Sequence, residues 1–345
     1  MTVSVAYLPG AAQALLRSLF TLLITLLALL LVTFSISMLS PIDPARQLVG
    51  DHASESSYQQ MRKTLGLDQP WPVQFERYTM RLLHGDLGDS RSTGQPVSAD
   101  LSRVFPATLE LATVAMLMSA VAGVALGLLS GWRPGGALDS VVRIVSLFGN
   151  SVPIFWLGLV ALFVFYARLH WVGGPGRLDD GFEYTIDQPT GLVLIDSWRS
   201  HVPGAFANAI AHLVLPVLIL ASYYAIGTVT RLTRTVVLEE SGKEYITLAR
   251  ATGAGEARVL LRHVLPNSAG VILTALALTY AGLLEGAVLV ETVFARPGLG
   301  RYLTNALFAG DTPAILGATL IIGTCFVLIN GATDILVRIV DPRAR

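Results

Sequence analysis

Cysteine is almost missing from this 345-residue chain. Cys325 is the only one, and it lies inside an apolar stretch. A disulfide within the chain is therefore impossible, and a Cys/His zinc site is not expected. Charge is scarce as well: Asp, Glu, Lys and Arg make up only 14% of the residues, against about 25% in soluble globular domains. The 24 basic and 24 acidic residues cancel, so nothing draws the chain to nucleic acid in bulk. Its six histidines (52, 84, 170, 201, 212 and 263) have no ligand-like spacing, and no metal is expected. There is no internal repeat, no chain of intramembrane acids and no arginine ladder. These absences disfavour a self-contained secondary transporter, a proton pump and a voltage sensor. A nucleophile–base pair is also absent, which disfavours an enzyme.

What is present is apolar chain. Hydrophobic residues make up 53% of the sequence and mean hydropathy is +0.60. Six segments approach the roughly 20 apolar residues that a helical span needs. They fall near 15–39, 107–131, 141–168, 209–230, 268–291 and 313–337. This predicts an all-α membrane protein with six transmembrane helices. The run Leu19–Met38 is too long for a signal-peptide core and no cleavage pattern follows it, so it reads as a retained first span. Pro153, within "GNSVPIFW" (Gly149–Trp156), either kinks the third span or breaks it.

An even number of spans puts both termini on one side. The linker 40–106 is too long to follow the positive-inside rule. Elsewhere Arg231, Arg234, Lys243, Arg250, Arg258 and Arg262 crowd segment 231–267, while Asp179, Asp180, Glu183, Asp187 and Asp196 mark segment 169–208. The expected cytoplasmic parts are therefore 1–14, 132–140, 231–267 and 338–345. Segments 40–106, 169–208 and 292–312 are external.

The stretch "EYITLARATGAGEARVLLRHVLPN" (Glu244–Asn267) is too charged for hydrocarbon, yet it is patterned. Tyr245, Leu248, Ala249 and Thr252 fall on one face of a short helix, and Gly253 stands where a helix ends left-handed. Glu256 suits the start of a second helix, whose face is Ala257, Leu260, Leu261 and Val264, and Pro266 marks the boundary of the next span. The prediction is two short amphipathic helices meeting at a glycine. A solvated loop and a helix-turn-helix DNA reader are the alternatives, and the latter lacks phosphate-contacting residues elsewhere. A docking element for a cytoplasmic partner fits the pattern best.

Here a resemblance appears. Gly253, nine residues, His263, one residue and Leu265-Pro266 are similar to the EAA loop of ABC importer permeases, with Thr247-Leu248-Ala249 at the EAA positions and His263 where isoleucine is usual. "LARATG" (Leu248–Gly253) resembles the "TARAKG" of the peptide/nickel/opine permeases, with Thr252 in place of lysine. Ordered along the rest of the chain are "LGLDQPWPVQF" (Leu65–Phe75), "HGDLGDS" (His84–Ser90), "FPATLELA" (Phe105–Ala112), "SVPIFWLG" (Ser151–Gly158), "ETVFARPGLGRYLTNAL" (Glu291–Leu307) and "DPR" (Asp341–Arg343). All resemble that group, and "GLVLIDSW" (Gly191–Trp198) looks most like its dipeptide permeases.

The resemblance implies a type I ABC importer permease fold with a large external loop after the first helix, in a bacterial inner membrane. It also implies a second homologous permease, two cytoplasmic ATPases and a periplasmic or lipid-anchored solute-binding protein as partners. Dipeptides or short oligopeptides are the first substrate class, with opines, glutathione or nickel and other metal chelates behind. The chain has no G-x-x-x-x-G-K-S/T phosphate loop, so ATP and magnesium belong to the ATPases and this chain binds no cofactor. Candidate ATPase-coupling residues are Tyr245, Ala249, Arg250, Gly253, Glu256 and Arg258. Polar groups that could line a pathway are Glu110, Asn150, Ser151, Tyr223, Tyr224 and Thr228, although such residues more often serve interhelical hydrogen bonding. Arg301 and Asp311, in the external segment before the last span, could meet the binding protein. Glu285 and Asp334 read as structural or near an interface.

Overall fold

The computed structural model describes residues 8–38, 43–50, 52–149 and 152–340. Among them the regular elements are helical, apart from one isolated bridge between Asp89 and Pro96. In chain order they are α1 (Leu8–Met38), α2 (Pro44–Val49), α3 (Glu55–Leu65), α4 (Trp71–Leu83), α5 (Val97–Trp132), α6 (Ala137–Gly149) and α7 (Ile154–Ala161), which runs into a π-helical turn Leu162–Arg168. Next come α8 (Asp180–Glu183), α9 (Val193–Arg199) and α10 (Ala205–Tyr224), then a π turn Ala225–Thr230 and α11 (Arg231–Ser241). The chain continues with α12 (Glu244–Ala251), α13 (Glu256–Val259), a third π turn Leu260–Val264, α14 (Leu265–Val293), α15 (Leu299–Ala309) and α16 (Thr312–Val340). The chain divides into two compact units, one of residues 1–103 with 302–331, the other of residues 104–301 with 332–345.

In the first unit α1 and α16 pack so closely that a Cβ at Gly323 would lie 2.1 Å from Leu29 Cδ2. Small residues at such crossings are how helices associate in lipid, where the hydrophobic effect gives no drive. Past the C-terminal end of α1, Ser54 caps α3, accepting from the Ser57 N–H at 3.2 Å, and α4 stacks Trp71, Phe75 and Tyr78 around Phe34 of α1. Asp311, at the start of α16, is fully buried, where it accepts from Ser90 Oγ at 2.7 Å and the Ser92 N–H at 2.9 Å. The surface contact expected of Asp311 is therefore corrected: its Oδ2 orders the loop Ser90–Ser92 while its Oδ1 accepts the Ala314 N–H at 3.3 Å, since a buried carboxylate must find donors.

In the second unit Leu111 of α5, Ile154 of α7, Leu220 of α10 and Leu283 of α14 form one apolar core. Tyr224 lies across α14, where a Cβ at Gly282 would come within 2.5 Å of its ring.

Among the described residues, four helices are long and apolar enough to cross a membrane: 97–132, 205–241, 256–293 and 312–333. Shorter apolar helices cover 20–36 and 154–168. These segments overlap the expected spans, but three run about ten residues or more past the expected ends. The 37-residue helix 205–241 is about 55 Å long at 1.5 Å per residue, against a hydrocarbon core of about 30 Å. It must project well beyond the bilayer. The third expected span differs more: α6 and α7 are separate helices, and Pro153 with extended backbone is the N-cap of α7. A ring that fixes φ and lacks an N–H starts a helix more readily than it sits within one.

Candidate functional site

The projecting ends carry the candidate site. Gly242 and Lys243 turn the chain out of α11, and α12 follows as a free-standing helix of eight residues. It ends as expected at Gly253, whose φ is +86°. The Gly253 N–H bonds Arg250 O at 3.0 Å and the Ala254 N–H bonds Ala249 O at 3.1 Å, so both orphan carbonyls are satisfied in a Schellman closure. A second free helix does not follow. α13 begins at Glu256 as expected, but the helix then continues through the π turn into α14 as far as Val293. Pro266 does not interrupt it, because it sits in the first turn of α14, where a missing N–H is tolerated.

The faces also differ from the expected ones. The residue that α12 buries is Ile246, fully enclosed with Val237, Val259 and Val264 and flanked by Leu128, Trp132 and Ala249. Leu248, on the opposite side of α12, is 65% exposed, and Tyr245 and Thr252 are exposed too. In the following helix Val259 and Val264 are buried while Ala257 and Leu261 are exposed. The π turn adds a residue to its turn and so rotates the face away from a 3.6-residue pattern.

Three of the expected coupling side chains hold α12 in place. The Tyr245 hydroxyl donates to the buried Glu240 carboxylate, which Lys243 also pairs. Arg250 stacks over the Trp132 ring at 5.1 Å and pairs with Glu256 at 3.1 and 3.3 Å. Ala249 is half-buried against the apolar cluster, and Arg258 is exposed. The outward apex is thus Leu248, which the expected site did not include because its exposure follows from which residue sits underneath.

Arg234 of α11 was not singled out from sequence. It donates to the Asp139 carboxylate through Nε at 2.5 Å and Nη2 at 3.0 Å, and the Gly135 N–H adds a third bond at 2.9 Å. Arg234 and then Gly135 hold the Asp139 carboxyl down to about 2. The sign follows: the stabilisation from this lowered pKa is complete above the ordinary carboxylate value near 3.8 and is lost as pH falls through about 2. The pair is therefore intact at neutral pH. Arg234→Ala leaves the buried Asp139 with only the more distant Arg143, at 3.8 Å, as counter-charge, at a cost of up to about 3 kcal/mol. The expected result is a lower Tm of the detergent-purified protein, and an unchanged Tm would refute the pair's structural role.

Among the described residues, the expected pathway residues lie in two places. Tyr223 and Tyr224 meet edge to face at 5.4 Å just before the π turn that holds the half-buried Thr228. Glu285 is exposed on α14, between the two glycines that Tyr224 covers. Asn150 and Ser151 lie outside the described residues, as do Asp341–Arg343 and the side chain of Asp334. Glu110 belongs to a separate buried cluster. Its carboxylate pairs with Arg177 at 3.1 Å and Arg296 at 3.7 Å and accepts the Leu194 N–H at 2.7 Å. Arg177 also donates to Gly191 O at 2.6 Å. Burial, with Arg177 alongside, pushes the Arg296 guanidinium down to about 10. Beside this cluster Glu291 accepts from the Thr108 hydroxyl at 2.5 Å and from the Gly300 N–H at 2.7 Å, and Arg301 donates to Ala295 O at 2.7 Å. These contacts tie the "FPATLELA" and "ETVFARPGLG" motifs to each other.

Comparison with known proteins gives consistent findings. Residues 123–345 match the family model "Binding-protein-dependent transport system inner membrane component", and residues 12–112 match the corresponding N-terminal model. The chain is 44% identical to the probable D,D-dipeptide transport system permease protein DdpB of Escherichia coli, covering 90% of this chain and 91% of the relative. It is 38% identical to the dipeptide transport system permease protein DppB of Haemophilus influenzae, covering 93% and 96%. Among solved structures it is similar in fold to a chain of the inward-facing MetNI methionine ABC transporter, with a TM-score of 0.51 and 20% identity, over 70% of this chain and 96% of that one.

Proposed function

We propose that this chain, which belongs to the binding-protein-dependent transport system inner membrane component family, couples ATP hydrolysis in partner subunits to peptide import through the outward face of α12. It is a multi-pass inner-membrane permease subunit with the fold of an ABC importer permease. Its substrates are dipeptides or short oligopeptides, a reading supported by relatives named for D,D-dipeptide, dipeptide and di/tripeptide transport. Both termini and segment 231–267 are cytoplasmic. A second homologous permease, two ATP-hydrolysing subunits and a solute-binding protein complete the machine.

One observation carries the coupling reading. α12 hangs between two helices that outrun the bilayer, is fastened by Ile246, Arg250 and Tyr245, and points an exposed leucine away from its own chain. A helix held this way moves as a body with the ends of α11 and α14, so a groove that grips Leu248 can bias one conformation of the permease over another. Leu248→Ala removes an anchor of about 2 kcal/mol. The expected outcome is weaker co-purification with the ATP-hydrolysing subunits and slower dipeptide uptake in reconstituted vesicles, with the chain still inserted. Unaltered subunit retention and uptake would refute the assignment.

For the pathway, Glu285 is the most informative position. A charge at the bilayer centre costs roughly 2.5–3.5 kcal/mol on insertion scales, so its exposed carboxylate faces water or the second permease rather than lipid. Tyr223, Tyr224 and Thr228 lie near the same stretch of α14 and share that assignment.

A further inference from the structure

The first unit contains a cavity of about 500 Å³ between the external ends of α1 and α16 and the helices α3 and α4. Its lining is strongly basic: Arg62, Arg77, Arg81 and Arg91 face a single carboxylate, Asp43. Part of that charge is met within the protein. Arg81 pairs with Asp86 at 2.8 Å, and Arg62 donates to Tyr58 at 3.1 Å beside Asp43. Arg77 has no acceptor among the described residues, and its guanidinium approaches Gly66 so closely that a Cβ there would sit 2.8 Å from Nη1. The Tyr78 hydroxyl is buried in the same wall with no hydrogen-bond partner. Burial pushes its pKa up to about 12, so it stays a neutral donor. The exposed Arg77 guanidinium and the buried Tyr78 hydroxyl, which has no acceptor, favour an oxyanion: the first supplies charge, and the second is a buried donor that is costly to leave unmatched.

The rest of the lining is apolar. Phe34 and Met38 close α1, and Pro313 and Leu316 open α16. Below them α1 exposes Phe20, Leu23, Leu27 and Leu31 along its length, as a lipid-facing helix does. The cavity is thus basic at its head, and α1, which supplies Phe34 and Met38 to its wall, also presents the exposed apolar residues Phe20, Leu23, Leu27 and Leu31. We propose that this cavity binds the phosphodiester headgroup of an anionic phospholipid of the outer leaflet, with Arg77 and Tyr78 as its donors and the acyl chains lying along α1. Clusters of Arg and Lys at a membrane interface recognise anionic lipid by this combination of charge and bidentate hydrogen bonding. The site is remote in sequence from α12 and does not depend on the coupling reading.

The test is native mass spectrometry of the assembled, delipidated complex titrated with phosphatidylglycerol or phosphatidylcholine of the same chains. The expected result is one phosphatidylglycerol retained per copy of this chain, in preference to phosphatidylcholine. Arg77→Gln should lower that retention about tenfold, the loss of one charge-assisted contact, while Arg77→Lys, which keeps the charge but not the bidentate geometry, should fall between the two. Arg77 is exposed on a surface helix, so the variant keeps its fold, and an unchanged Tm documents this. Equal retention of the two lipids, or equal retention by Arg77→Gln and the parent, would overturn the proposal. Displacement of phosphatidylglycerol by inorganic phosphate would overturn it too, assigning the cavity to a free anion.

Discussion

Gly253→Asp is expected to leave the chain inserted and assembled but to cut dipeptide uptake by at least about tenfold while ATP hydrolysis continues. The structure separates the possible causes. Nothing lies within 4 Å of a Cβ built on Gly253, so neither a methyl nor a carboxylate meets a clash. The positive φ costs any L-residue about 1 kcal/mol, and Asp tolerates it better than most. Backbone strain therefore cannot make Asp worse than Ala. What Asp adds is a negative charge at the end of α12, at the corner where a docking groove must approach the backbone closely. Gly253→Ala should keep most of the uptake, and Gly253→Asp should lose it. Equal, small losses in both would mean that only strain matters, and full uptake in an assembled Gly253→Asp complex would remove the corner from the coupling surface.

Glu110→Ala is expected to be the most destabilising single change. Its carboxylate lies between two guanidinium groups, and the side chains of Glu110, Arg177 and Arg296 are only 5%, 5% and 2% exposed. A buried pair is often no better than an apolar replacement, but deleting one partner costs about 3–5 kcal/mol because a charge is left uncompensated. Here two positive groups are left facing each other, with Arg296 already pushed down to about 10. The Leu194 N–H loses its acceptor as well, and Arg177, which holds the Gly191 carbonyl, loses its counter-charge. Thermal unfolding in detergent measures the cost, and Glu110→Gln should recover part of it by still accepting the Leu194 N–H. A Tm shift no larger than that of an exposed control such as Glu76→Ala would contradict the network.

What could be read from sequence was what is local. The apolar stretches announced the helices, and the pattern Arg250–Glu256 announced a closure at Gly253 because that signal needs only neighbouring residues. What failed required the third dimension. Asp139 meets Arg234 across 95 positions and Glu110 meets Arg177 across 67, and no periodicity carries that information. The face of α12 was misread for a related reason. Over eight residues, Tyr245 with Leu248 and Ile246 with Ala249 both make plausible faces, and the choice depends on Val237 and Val259 waiting beneath. Pro153 and the π turn Leu260–Val264 show a third limit, since a single backbone irregularity splits one expected span or rotates another's face.

Position-specific crosslinking tests the central claim most directly. In a Cys325→Ser background, Leu248→Cys and Ile246→Cys differ only in which side of α12 carries the thiol. If α12 is the lever, a short thiol-reactive crosslinker joins Leu248→Cys to an ATP-hydrolysing subunit in the assembled complex, with a yield that changes when ATP binds, while Ile246→Cys stays unreactive. Leu248→Cys that is freely labelled and joined to no partner in every nucleotide state would contradict the account.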